Sequence, residues 1–166
     1  QRNDGEWHVE ETWPSNDIEW TTHDASEWGS LGIVSSSSSI TLTSNPLESD
    51  YHISGLPTFH AQVTANSCNG GQLFVTMSDG TTGLRLGHAT MDLRYRDGGY
   101  EAKSVTPFSS YTMLMQFNPM DVIIPEGHMI QLEITESGED YLSSSCASAG
   151  ITLNGELPLS LPLIDR

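Results

Sequence analysis

The sequence predicts an all-β domain of the β-sandwich or jelly-roll type. Short segments with strand-like patterns recur along the chain, and turn residues such as Gly, Pro, Asn and Asp separate them. No long segment shows the apolar spacing of an amphipathic helix. The 166 residues contain no internal repeat and no domain-separating linker, so we expect a single domain over residues 1–166.

The clearest strand pattern lies at residues 59–65, where apolar and polar residues alternate strictly, as in a strand with one buried face. Residues 72–78 are apolar on both faces, which predicts a central strand. Between them we expect a hairpin-type turn at 69–71, because its sequence is Asn-Gly-Gly. After a second turn at 79–80, a long strand is predicted over 84–95.

Further strands are predicted at 111–117, 122–124, 129–135, 151–153 and 157–164. Pro158 and Pro162 lack the backbone donor that a sheet uses, so we expect the last strand to lie at a sheet edge. The N-terminal segment, about residues 1–30, is rich in Trp and acidic residues. We expect it to be extended but packed on the domain, because disordered segments contain few aromatic residues.

Charge and cysteine content narrow the function classes. A formal net charge of -16 repels phosphates, so a nucleic-acid partner is excluded. No apolar run approaches the ~20 residues of a membrane helix, and we expect no membrane insertion. Cys68 and Cys146 do not have the spacing of a metal site. They form either a disulfide, which would indicate an extracellular or secreted protein, or two separate buried thiols.

Motifs for catalysis are missing from the sequence. The Gly-x-Ser-x-Gly nucleophile elbow of serine hydrolases does not occur, nor does a zinc-protease, phosphate-binding or dinucleotide-binding motif. We therefore predict a protein that is not an enzyme and needs no cofactor. Calcium is the one candidate ion, because it takes carboxylate oxygens from loops. The candidate ligands are Asp79, Asp97, Glu139 and Asp140.

Four of the six basic residues lie within a short segment, and they are Arg85, Arg94, Arg96 and Lys103. Arginine forks suit carboxylates, so these residues either pair internally or dock onto an acidic partner surface. His88 would then be a further partner contact, or else a structural histidine with satisfied hydrogen bonds. Exposed aromatic residues could instead form a carbohydrate platform, for which Trp20, Trp28 and Tyr100 are the candidates.

Residues 84–99 combine Leu-Arg-Leu, a small residue, His, two arginines and an Asp-Gly-Gly turn. This pattern resembles the C-terminal β-sandwich of the X-Pro dipeptidyl-peptidase and cocaine-esterase group of serine hydrolases. Other elements resemble that family in the expected order, and they are Trp13-Pro14 with Trp7 and Trp20, residues 55–57, residues 118–121, residues 124–128 and residues 157–158.

The resemblance implies a jelly-roll sandwich similar to galactose-binding-like folds, without catalytic machinery. It also implies that the domain packs on an α/β-hydrolase catalytic domain and helps to shape its active site. Two other hypotheses come from the residues. One is a secreted structural subunit that self-assembles with other copies, its N-terminal segment adding a strand to a neighbour's sheet. The other is a carbohydrate-binding module.

Overall fold

A computed structural model describes residue 5 and residues 11–138 and 141–164 of the chain. Two antiparallel sheets pack face to face, which confirms the predicted all-β sandwich. Within the described ranges the strands are β1 (Glu19–Asp24), β2 (Ile33–Val34), β3 (Ile40–Thr43), β4 (Tyr51–Gly55), β5 (Thr58–Ala65), β6 (Gln72–Asp79), β7 (Arg85–Asp92), β8 (Ser110–Gln116), β9 (Met120–Ile124), β10 (Ile130–Thr135), β11 (Ile151–Leu153) and β12 (Pro158–Leu163). Two single 3-10 turns, Ala25–Trp28 and Leu93–Tyr95, are the helical segments of these ranges. None of the helices there is long and apolar enough to cross a membrane.

The larger sheet contains eight strands, which lie in four rows of two. Each row consists of two strands that follow one another in the chain. The rows run in the order β1 with β2, β11 with β12, β4 with β5, and β8 with β9. We call this sheet the four-row sheet.

The second sheet has the order β3-β10-β6-β7, and we call it the four-stranded sheet. Along the chain, successive rows alternate between the two sheets, except that β6 and β7 form a hairpin within the four-stranded sheet. This connectivity is that of a jelly roll, so the predicted fold class is confirmed to that level.

The hydrophobic core lies between the sheets and follows the period of two expected for half-buried strands. In β5 the odd-numbered residues Phe59, Ala61 and Val63 are fully buried, while His60 and Gln62 are exposed. In β6, alternate residues face the core as well, but Phe74 on the opposite side is also buried. The prediction that β6 is central is therefore correct, since it lies between β10 and β7.

The turn at 69–71 does not form a hairpin, contrary to the prediction. β5 and β6 belong to different sheets, so these residues carry the chain across the sandwich. Gly71 is needed there for close approach, because a Cβ at this position would lie 2.6 Å from Ile151 Cγ1. The strand predicted over 84–95 is also shorter than expected, because Asp92 accepts a hydrogen bond from Arg94 N and starts a 3-10 turn.

The last strand, β12, lies inside the four-row sheet rather than at its edge, which makes that prediction wrong. It pairs with β1 on one side and with β4 and β5 on the other. Ile164 N donates to His52 O of β4, and alternate residues of a strand direct their N–H groups to the same side. The donor missing at Pro162 thus faces the break between β4 and β5, where Gly55 makes room for the proline ring.

Residues 19–24 of the N-terminal segment form strand β1, which pairs with β12 along its whole length. Asp24 ends this strand by accepting hydrogen bonds from Ser26 N and Leu157 N. Trp7 and most of the first ten residues lie outside the described ranges. The prediction that the segment packs on the domain can therefore be compared with the structure only from residue 11 onward.

Cys68 and Cys146 are joined in a disulfide. The bond ties the connection between β5 and β6 to the loop that precedes β11. Glu136 holds the same loop, because one of its carboxylate oxygens accepts a hydrogen bond from Ser144 N. The loop is thereby fixed to the end of the four-stranded sheet.

Candidate interaction face

The outer side of the four-row sheet carries polar and apolar side chains from β1, β12, β5 and β8, one strand from each row. Alternation places these side chains outward, away from the buried residues of the same strands. We call the surface the neutral face and define it by Trp20, Thr22, His60, Gln62, Thr64, Thr112, Leu114, Gln116 and Ser160. None of the nine is acidic, although the chain has 22 Asp and Glu residues.

The neutral face is held together by contacts between neighbouring rows. Thr22 Oγ1 lies 2.8 Å from Ser160 Oγ, and Thr64 Oγ1 lies 3.1 Å from Ser110 Oγ. Such cross-strand hydroxyl pairs stabilise a sheet without adding charge. Two large apolar side chains remain open on this surface, because Trp20 is 55% exposed and Leu114 is 48% exposed.

Carboxylates at outward positions beyond the neutral face are bound within the protein. Asp121 on β9 lies 2.6 Å from His52 Nε2, and that imidazole is buried. Asp24 at the end of β1 caps the following 3-10 turn, and its hydrogen bonds hold the pKa of its carboxyl below the usual value although burial opposes this. Neither carboxylate extends freely from the sheet.

The segment that leads into β1 lies on the outer side of the same sheet. Ser15 is buried, and Pro14 packs beside Gly55, where a Cβ would lie 3.5 Å from Pro14 Cβ and 3.0 Å from Pro162 Cγ. Pro162 and Ser160 share the outward side of β12. The chain therefore enters the domain next to the neutral face.

Two of the predicted partner-binding arginines make internal contacts in the connection between β7 and β8. Arg94 Nη2 donates to Asp92 Oδ2 at 2.6 Å, and this hydrogen bond with the nearby charge raises the pKa of Arg94. Arg96 donates to the carbonyls of Leu93 and Ser104 and lies over the Tyr111 ring at 4.5 Å. In the same loop, Lys103 forms an ion pair with Asp97. These contacts are those expected of internal pairing.

Arg85 and His88 lie elsewhere, on the outer side of the four-stranded sheet. Both contact Phe74, since the Arg85 guanidinium is 5.8 Å from the ring centroid and the His88 ring stacks on it at 5.2 Å. The Tyr141 hydroxyl lies 3.4 Å from His88 Nε2. The four predicted partner residues are thus divided between a loop and a strand.

The three aromatic residues proposed for carbohydrate binding lie on three different elements. Trp20 belongs to the neutral face, Trp28 is in the first 3-10 turn and packs against the core, and Tyr100 is fully exposed in the β7–β8 connection. In the described part of the chain no ring contact links them. They do not build one platform.

Two of the four predicted calcium ligands, Asp79 and Asp97, lie in the described ranges, and each has an internal partner. Asp79 Oδ2 accepts a hydrogen bond from Thr82 Oγ1 and lies 2.8 Å from His128 Nδ1. Burial acts to raise the pKa of Asp79, but these hydrogen bonds and those from the backbone of Thr81 and Thr82 lower it overall. Asp97 pairs with Lys103, while Glu139 and Asp140 lie outside the described residues. Within the described ranges no three His, Cys, Asp or Glu residues gather as metal ligands, and calcium binding stays a prediction.

Sequence reasoning missed the neutral face, although a signal for it was present. The polar positions of the two strand patterns at 59–65 and 111–117 are occupied by His, Gln and Thr rather than by Asp or Glu. In a chain with 22 Asp and Glu residues, the lack of acidic side chains at these outward positions departs from the overall composition. Only the pairing of β5 with β8 brings the two sets onto one surface.

A family model described as X-Pro dipeptidyl-peptidase C-terminal non-catalytic domain matches residues 16–158. No curated protein sequence shows a significant match. Among solved structures, a CocE/NonD family hydrolase from Staphylococcus aureus has a TM-score of 0.70 at 11% identity and covers 99% of this chain and 40% of its own. An aminopeptidase from a marine sediment Thaumarchaeota archaeon has a TM-score of 0.68 at 10% identity, with 98% and 39% covered.

An alpha-amino acid ester hydrolase has a TM-score of 0.57 at 12% identity and covers 92% of this chain and 31% of its own. At these identities the likeness concerns the fold alone. The chain spans about 40% of the length of the first of these structures.

Proposed function

Because the chain belongs to the family of X-Pro dipeptidyl-peptidase C-terminal non-catalytic domains, we propose that it is an accessory domain of a hydrolase. In this role it docks on a catalytic domain, restricts access to the active site and contributes no reacting group. The structural relatives support the proposal, since they are hydrolases and an aminopeptidase of which a domain of this fold is a minor part.

The observation that carries the docking role is the neutral face. Charged residues are depleted in the cores of protein interfaces, whereas aromatic side chains are enriched there. Trp20 and Leu114 are open on a surface whose remaining side chains are hydroxyls, amides and an imidazole. This composition suits burial against another domain better than it suits permanent contact with water.

The charge of the molecule also favours this face. A net charge of -16 repels most acidic partner surfaces, and like charges placed opposite each other cost several kcal/mol. A surface without carboxylates avoids that cost. The partner surface expected here is uncharged, with apolar recesses for Trp20 and Leu114.

The path of the chain points to the same side. In this family the domain is C-terminal, so the catalytic part precedes it in the chain. Pro14, shortly before β1, lies against Gly55 next to the neutral face. A preceding domain would therefore be attached beside the surface on which we place it. The disulfide supports an oxidising, extracellular location for the whole.

The first test is the mass of the native polypeptide, measured by intact mass spectrometry or by immunoblot with an antibody against this chain. We expect a species that exceeds 18.1 kDa by the mass of a catalytic domain. An equally good result would be a separate hydrolase subunit that co-purifies with the chain. A monomer of this chain's own mass that binds no hydrolase would contradict the proposal.

A further inference from the structure

At one end of the sandwich a cavity of about 380 Å³ opens between the two sheets. Three rings line it, and they belong to His23 at the end of β1, Trp28 in the first 3-10 turn and Tyr51 at the start of β4. The connection from β3 to β4, residues 44–49, also lines the cavity. We call this cavity the ring pocket. It is not part of the neutral face.

The three rings form one cluster around the imidazole. The His23 ring lies 5.9 Å from the Trp28 ring and 5.8 Å from the Tyr51 ring, with interplanar angles of 50° and 33°. The Tyr51 hydroxyl lies 3.3 Å from His23 Nε2. Three neighbouring rings therefore line a cavity large enough for a small organic ligand.

The charges around the ring pocket favour one class of ligand. Burial lowers the pKa of His23, and burial together with the nearby Glu48 carboxylate raises the pKa of Tyr51, so both rings are held neutral. Glu48 is exposed at the rim. Lys and Arg are absent from the described residues that line the cavity. The field of an acidic protein adds to the attraction for a cation and excludes an anion.

We propose that the ring pocket binds a substituted ammonium ion. The faces of Trp and Tyr rings attract such cations through their negative quadrupole, and quaternary ammonium ligands are typically recognised in this way. Glu48 supplies the opposite charge at the rim, while the neutral imidazole of His23 adds no repulsion. This binding function is separate from docking and does not depend on it.

The test compares two probes of the same shape in a nitrogen-15 NMR titration of this chain. Choline carries the cation, and 3,3-dimethylbutan-1-ol is its neutral isostere. We expect choline to shift the indole N–H of Trp28 and the amide of Tyr51 saturably, and the isostere to bind about tenfold more weakly. Equal affinity for both probes, or no saturable shift at these residues, would overturn the proposal. Tighter binding of methyl glucoside than of choline would do so as well and would identify a sugar pocket.

Two variants with the same change of charge complete the test. Glu48→Gln removes the rim carboxylate without touching the core and should weaken choline binding several-fold while leaving the isostere unchanged. Glu101→Gln removes an exposed carboxylate in the β7–β8 connection, away from the cavity lining, and should leave choline binding unchanged. Equal weakening by both variants would mean that choline responds only to net charge, and the ring pocket would be rejected.

Discussion

The outer sides of the two sheets differ in how they treat an outward aromatic residue. On the four-stranded sheet, Phe74 is only 6% exposed, because the chain's own His88, Arg85 and Tyr141 cover it. On the four-row sheet, Trp20 is 55% exposed and no comparable cover from the described residues lies over it. The chain covers its own outward aromatic residue on one face and leaves an outward aromatic residue exposed on the other. The difference is the reason that we place the proposed partner on the four-row sheet.

The two aromatic residues provide the largest contrast in stability. Phe74→Ala should destabilise the chain by about 3 kcal/mol, because it removes a buried ring and leaves a cavity beside Gly138 and Tyr141. Trp20→Ala should cost less, about 1 kcal/mol in the isolated chain, since Trp20 is 55% exposed to water. Urea unfolding of both variants measures the difference. Equal losses would mean that the two faces are not distinct.

The next contrast concerns docking. Leu114→Asp places a carboxylate on the β8 side of the neutral face and should weaken association with the catalytic part about 30-fold, which corresponds to about 2 kcal/mol. Leu142→Asp makes the same change at a side chain that is 93% exposed in a loop away from this face, and should have no effect. Titration of the separately produced catalytic part by calorimetry measures both. Equal effects of the two variants would remove the neutral face from the interface.

Asp79 tests how far the four-stranded sheet is stabilised by its own hydrogen bonds. Because hydrogen bonding lowers its pKa in the folded state, Asp79 stabilises the fold above about pH 3.8, and this contribution is lost as the pH falls through the lowered pKa. Asp79→Asn should therefore cost about 1–2 kcal/mol at neutral pH. The variant and the parent should converge in acid. Unfolding free energies measured between pH 7 and pH 2 check this, and a constant difference would contradict it.

The smallest effect is expected for the loop arginine. The Arg94 side chain is 48% exposed, and surface ion pairs contribute little, so Arg94→Gln should change stability by less than about 0.5 kcal/mol. It should also leave docking unchanged. Strong loss of docking in this variant, with normal unfolding, would restore the basic segment as the partner site.

Sequence alone identified the strands whose pattern is local, such as β5, where strict alternation separates Phe59 and Val63 from His60 and Gln62. It failed where the answer depends on a distant neighbour. A proline inside a strand predicts a sheet edge because a neighbouring strand on its nitrogen side would lack one hydrogen bond. At Pro162 the neighbour is interrupted at Gly55, between β4 and β5, so no hydrogen bond is lost and β12 can lie inside the sheet. The Asn-Gly-Gly turn gives the local geometry but not the sheet that the next strand joins.

The candidate face was hidden for the same reason. Its residues come from β1, β5, β8 and β12, and only the register across four rows places them together. The basic residues are rare in this chain, which made them candidates for partner binding. Their rarity does not predict that Arg94 pairs with Asp92 two positions away. Pairing of this kind depends on side-chain conformation, which the strand and turn patterns do not give.

Covalent footprinting of the intact native protein and of this isolated chain tests the docking face most directly. We predict that Trp20 and Leu114 lose most of their labelling in the intact protein, while Tyr141 and His88 on the opposite side are labelled equally in both. Protection of Tyr141 and His88 with unchanged labelling of Trp20 and Leu114 would contradict the account and place the partner on the four-stranded sheet.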